Sequence, residues 1–106
     1  MAKYLIEASY TADGVKGLLK DGGSARREAV TQLIEALGGK VEAMYFSFGS
    51  SDAFVIVDMP DNVSVTAASL AVNSSGAVTA KVVVLMTPEE VDEACSKSPA
   101  YQAPGS

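Results

Sequence analysis

Histidine is absent from this 106-residue chain, and cysteine occurs once, at Cys95. A lone cysteine excludes a disulfide within the chain, and the missing histidine argues against a zinc or haem site within one protomer. No cofactor and no metal are therefore expected. Basic residues are scarce as well, eight against thirteen acids, for a formal charge of −5. Nucleic-acid binding normally draws on clustered Lys and Arg that displace condensed counterions. The only adjacent basic pair is Arg26-Arg27, a pattern that usually decorates a solvated helix face, so no nucleic-acid partner is expected. Long uncharged apolar runs are also missing. None approaches the roughly 20 residues of a membrane-spanning helix, and Met-Ala-Lys-Tyr-Leu-Ile-Glu at the start lacks the apolar core of a signal peptide. The expectation is a cytoplasmic protein without a membrane partner.

What is present is an ordinary globular composition, 48% apolar and 20% charged, of a length that fits one domain. Residues 1–97 are expected to form that domain. Pro99, Pro104 and Gly105 mark residues 98–106 as an extended tail.

Lys3 to Tyr10 alternates and predicts a strand. Thr11-Ala12-Asp13-Gly14 turns into a short helix, capped by Thr11 or Asp13, striped by Val15, Leu18 and Leu19 and ended by Gly22-Gly23. Ser24 to Leu37 is the clearest helix. Ser24 can cap it, Val30, Leu33, Ile34 and Leu37 recur at helical spacing, and Gly38-Gly39 follows where a left-handed glycine belongs. Lys40 to Phe48 and Ala53 to Met59 read as an antiparallel hairpin joined by Gly49-Ser50-Ser51-Asp52. A second long helix is expected from about Val63 to Val72, then a strand from Val78 to Met86. Thr87-Pro88-Glu89-Glu90 opens a terminal helix with a threonine cap and a proline in its first turn. The order β-α-β-β-α-β predicts an α+β, ferredoxin-like fold, a four-stranded antiparallel sheet with its helices on one face.

With the strands placed, the sequence resembles the GYD-domain family over about residues 3 to 95. The resemblance rests on Lys3-Tyr4-Leu5-Ile6, Tyr10-Thr11-Ala12-Asp13-Gly14, Leu37-Gly38-Gly39-Lys40-Val41, Tyr45-Phe46-Ser47-Phe48-Gly49-Ser50-Ser51-Asp52, Val55-Ile56-Val57 and Pro60-Asp61. Of the motif that names the family, Gly49 and Asp52 are present and Ser51 stands where its tyrosine would be. A role resting on that phenol does not carry over. The resemblance implies the dimeric α+β-barrel type, in which two ferredoxin-like sheets pack face to face. It supplies a fold and no reaction.

Alternation sorts the strands into two faces. Tyr4, Ile6, Ala8, Val41, Ala43, Val55, Val57, Val78, Ala80, Val82 and Val84 are expected under the helices. Leu5, Glu7, Ser9, Glu42, Met44, Phe46, Phe48, Phe54, Ile56, Asp58, Thr79, Lys81, Val83 and Leu85 are expected on the other face, with Phe48 paired to Phe54. Such an apolar face exceeds what monomers usually expose, and a second copy of the chain is the simplest cover. The expected partner is therefore the protein itself, as a homodimer or higher homo-oligomer, with a small-molecule ligand between the sheets. Met44, Phe46, Phe48, Phe54 and Lys81 are the ligand-binding candidates.

Glu7, Asp58 and Asp52 are the candidate catalytic carboxylates. Each can serve as a general base in a cavity, or Glu7 can form a structural ion pair with Lys81. Gly49-Ser50-Ser51-Asp52 is a substrate-contacting loop or a plain turn. Gly22-Gly23-Ser24 before Arg26 and Arg27 can hold a phosphate or simply start a helix. Tyr10, Tyr45 and Tyr101 can donate to a ligand, and Cys95, beside Asp92 and Glu93, is read as inert. The leading reading is a non-catalytic homo-oligomeric module that binds a small apolar or aromatic molecule between packed sheets. The alternative is a cofactor-independent oxygenase or isomerase using a carboxylate base. RNA binding, which this strand order also serves, is disfavoured by Ser50, Ser51 and Asp52 in place of basic, glycine and aromatic positions.

Overall fold

The computed structural model describes every residue except Phe48. Its elements run β1 (Ala2–Tyr10), α1 (Ala12–Asp21), α2 (Gly23–Ala36), β2 (Lys40–Phe46), β3 (Ala53–Met59), α3 (Asn62–Ser74), β4 (Val78–Leu85) and α4 (Pro88–Lys97). The strands form one antiparallel sheet in the order β2-β3-β1-β4. This is the expected ferredoxin-like α+β arrangement.

The core lies between the sheet and helices α2 and α3. Tyr4 of β1, Val55, Val57 and Met59 of β3, Ile34 of α2, and Val65 and Ala68 of α3 form one buried cluster. The Tyr4 hydroxyl, too costly to bury unpaired, donates to Asn62 Oδ1 at the start of α3. Burial along β3 alternates perfectly, with Ala53, Val55, Val57 and Met59 inside.

Local chemistry sets the helix ends. The Thr11 side chain accepts from Gly14 N–H at the start of α1, and Asp61 accepts from Ser64 N–H at 2.8 Å to start α3. The cap at Asp61 starts α3 at Asn62, one residue ahead of the expected Val63. Thr87 and Glu90 close a reciprocal capping box on α4. Ser24 is not the cap of α2. Gly22, at φ 84°, occupies that position without any side-chain bond, because only one residue separates α1 from α2. Gly38, at φ 82°, ends α2 as expected.

Two elements depart from expectation in ways that matter for function. The hairpin pairs Phe46 with Ala53 and Tyr45 with Phe54, and its register slips between Val41 and Ala43. This β-bulge at Glu42 reverses the remainder of β2 relative to simple alternation. Helix α4 is exposed throughout and makes no extended packing with any other element. The radius of gyration is accordingly 16.9 Å and the long dimension 56 Å, against about 13 Å for a compact chain of this length. Residues 98–106 contain no helix or strand.

Gly39 tests the packing between α2 and the sheet. A Cβ there would lie 2.6 Å from the Asp58 carbonyl oxygen and 3.0 Å from Ile34 Cγ2, and would collide with the Met59 sulfur. The carbonyl belongs to a paired strand and has no room to yield. Gly39→Ala should cost about 1–3 kcal/mol by overpacking. Gly17→Ala, in α1 with nothing within 4 Å, should instead add about 0.5–1 kcal/mol from helix propensity. Urea denaturation of the two variants checks both signs.

Candidate functional site

Helices α2 and α3 cover one side of the sheet, and the other side is open. Cross-strand register orders the open side into rows. Tyr45, Phe54, Glu7 and Lys81 form one row, Ala43, Ile56, Leu5 and Val83 the next, and Lys40, Asp58, Lys3 and Leu85 a third. An apolar middle row thus lies between two rows that carry charge.

The bulge corrects the expected composition of this side. Met44 pairs with Val55 and Phe46 with Ala53, so both point to the helices. Met44 packs against the buried core, and a Cβ on Gly23 at the start of α2 would lie 3.1 Å from the Phe46 ring. Neither is available as a ligand contact on the open side. Ala43 moves the other way, and Tyr45, 73% exposed, takes the place expected of a phenylalanine. Phe48, another aromatic candidate, lies outside the described residues. Phe54 and Lys81 stand where they were expected.

Among the carboxylates, Asp58 is committed to an ion pair. Lys3 Nζ donates to Asp58 Oδ1 at 3.0 Å and to Glu42 Oε2 at 3.1 Å. The extra residue of the bulge delivers Glu42 to this cluster. Lys3 shares the parity of Leu5 and Glu7 and so lies on this face. The expected pairing of Glu7 with Lys81 does not form. The two are register partners, yet both ion pairs among the described residues belong to Lys3. Glu7 is left half-buried between Phe54 and Lys81.

Asp52 has a structural task. Its carboxylate accepts from Tyr10 N–H at 2.8 Å, and its own N–H donates to the Ala8 carbonyl at 2.8 Å. Its carbonyl accepts from Ser47 N–H at 2.8 Å. The loop between β2 and β3 is thereby tied to the end of β1. Next along β1, Thr11 N–H and hydroxyl both donate to the Ala77 carbonyl, and Gly14 leaves no space for a Cβ beside that same carbonyl. The turn at residues 10–14 and the loop at residues 49–52 are joined at one end of the sheet.

The described residues include no cluster of three or more His, Cys, Asp or Glu placed to hold a metal, and no described helix is long and apolar enough to cross a membrane. Cys95 is exposed on α4, as is Tyr101 beyond it.

A family model described as GYD domain matches residues 4–95, most of the chain, and the protein belongs to that family. A search of curated proteins finds no match.

Two outcomes follow from this geometry. Asp52→Ala should destabilise by about 1–3 kcal/mol, since a hydrogen bond to a charged acceptor is lost. Asp52→Asn, which retains an acceptor oxygen, should lose less, as read by chemical denaturation. Hydrogen bonds to Asp58 first and to Glu42 second hold the Lys3 ammonium above the ordinary lysine value of 10.5. A raised value means that the Lys3 contribution is complete below 10.5 and is lost as pH climbs through the folded-state value. Lys3→Met should therefore lower the melting temperature at neutral pH, and the gap to the unaltered protein should close at strongly alkaline pH.

Proposed function

We propose that this member of the GYD-domain family is a self-associating module whose open sheet face packs on the same face of a second copy. The observation that carries this reading is the apolar middle row, Ala43, Ile56, Leu5 and Val83, bordered by Phe54 and Leu85 and uncovered by any helix of its own chain. Each 100 Å² of apolar surface removed from water contributes roughly 2.5 kcal/mol, so burying the row on both copies provides a substantial driving force. The flanking rows favour register. Glu7 and Lys81, unpaired with each other, are free to meet their counterparts across the interface, where complementary charge fixes orientation.

Helix α4 supports the same reading. Ten residues form a marginal helix in water without packing, and Val91, Met86 and Val84 around it are exposed. A second copy offers the surface that its own chain does not.

Between two such faces, Phe54, Ile56 and Tyr45 would border a space suited to a small apolar or aromatic molecule. Glu7 is the only one of the three candidate carboxylates without a structural bond among the described residues, so a proton-transfer role on this face would fall to it.

Sedimentation velocity at micromolar concentration should give at least twice the mass of one chain. Ile56→Asp should reduce it to a single chain, because a carboxylate in the middle row is desolvated without a partner. Phe46→Asp should leave association intact and lower stability, since that ring faces α2. A purely monomeric unaltered protein would sink the proposal.

A further inference from the structure

The helix-covered side has an unfilled space. Helices α2 and α3 pack on the sheet but not extensively on each other. Beneath the gap lies a cavity of about 40 Å³, floored by the small side chains Ala8, Ala53 and Ala80 of the sheet and flanked by Ala68 of α3. Above it a cleft of about 360 Å³ opens outward past Ala29 and Ala71. Arg26, Val30, Leu33, Val72 and Val78 line both, so only their side chains separate the two. Together they reach the lower range of small-molecule pockets, roughly 300–1,000 Å³.

Among the described residues, Arg26 is the only charged one lining either space. Among the described residues its Nε, shut off from solvent, has no hydrogen-bond partner, and it joins neither of the two ion pairs. A guanidinium donor buried without an acceptor is unfavourable. In this chain the acids exceed the bases, yet none has been placed against it. The alanine side chains at the bottom offer water no polar partner, so water is a poor filler for that end. An acceptor with an apolar body satisfies both ends at once.

We infer that the space between α2, α3 and the sheet is a binding site for a small monocarboxylate with an aromatic or branched aliphatic body, its carboxylate on Arg26. The edge of a guanidinium formed by Nε and one Nη presents two parallel donors that match a carboxylate. The body of the ligand enters between Val30, Leu33, Val72 and Val78 toward the alanine floor. Affinity comes from that apolar contact, and the preference for acids over neutral analogues comes from Arg26. The site lies on the opposite side of the sheet from the self-association face and does not depend on it.

Phenylacetate and its neutral analogue 2-phenylethanol serve as probes in a methyl NMR titration of the full chain. Phenylacetate should shift the methyls of Val30, Leu33, Val72 and Val78 saturably and leave those of Leu5, Ile56 and Val83 unmoved. The alcohol should bind at least about tenfold more weakly, a difference of roughly 1.4 kcal/mol. Arg26→Met, which keeps an apolar stem, should bind the acid no better than the alcohol. Should that variant fail to fold, the comparison of acid with alcohol on the unaltered protein decides alone. Equal affinity for the two probes, shifts confined to the open face, or no saturable shift at millimolar phenylacetate would overturn the inference.

Discussion

Strand β1 is hydrogen-bonded along both edges, to β3 on one side and β4 on the other, and its alternation fixes the character of both faces. Tyr4 lies between Val57 and Val84 and Ile6 between Val55 and Val82, which places this apolar set on the helix side, all of it under the helices except Val84, exposed near the end of β4. One residue out of step, Lys3, Leu5 and Glu7 impose the opposite phase on Asp58, Ile56, Phe54, Leu85, Val83 and Lys81. A shift of β1 by one residue would exchange the two sets entirely. The core, the Lys3 ion pairs and the open apolar row thus rest on a single strand holding its register against two partners.

Strand β2 is not bound directly to β1, and it departs from that phase. The bulge at Glu42 gives it one extra residue, which lets Val41 and Met44 both meet the core although they are three positions apart. The same insertion places Glu42 within reach of Lys3. The open face therefore gains Ala43 and Tyr45, keeps Glu42, and gives up Met44 and Phe46. It is more polar at its β2 edge than an unbroken strand would make it, and its apolar surface is concentrated over β3, β1 and β4.

Much of the fold was legible because independent signals coincided. In α2, the spacing of Val30, Leu33, Ile34 and Leu37 and the glycine at position 38 point to the same element. In β3, every second residue is buried. The bulge was not legible, since Val41-Glu42-Ala43 carries no glycine or other mark and alternation passes through it unbroken. Pairing of Glu7 with Lys81 was a fair inference from parity. Register brings their backbones opposite each other, but side-chain direction and the competing demands of neighbours decide whether charges meet. Arg26 was assigned to a solvated face because an adjacent Arg27 made the pair look like surface decoration. On a helix, consecutive residues point about 100° apart, and only one of the two lines the gap beside α3. The role of Asp52 was half visible as a turn former, while its bond to Tyr10 N–H depends on a contact 42 positions away.

Helix α4 also determines where the charge of the molecule resides. Glu89, Glu90, Asp92 and Glu93 stand against Lys97 alone on that helix. The rest of the chain then holds nine acids and seven bases, so the body is close to neutral and the projecting arm carries most of the net charge. Proteins near zero net charge tend to associate and precipitate, and acidic residues counter this effectively. Three of the five net negative charges sit on the arm. Removal of the arm leaves the body at −2 without breaking a hydrogen bond of the sheet.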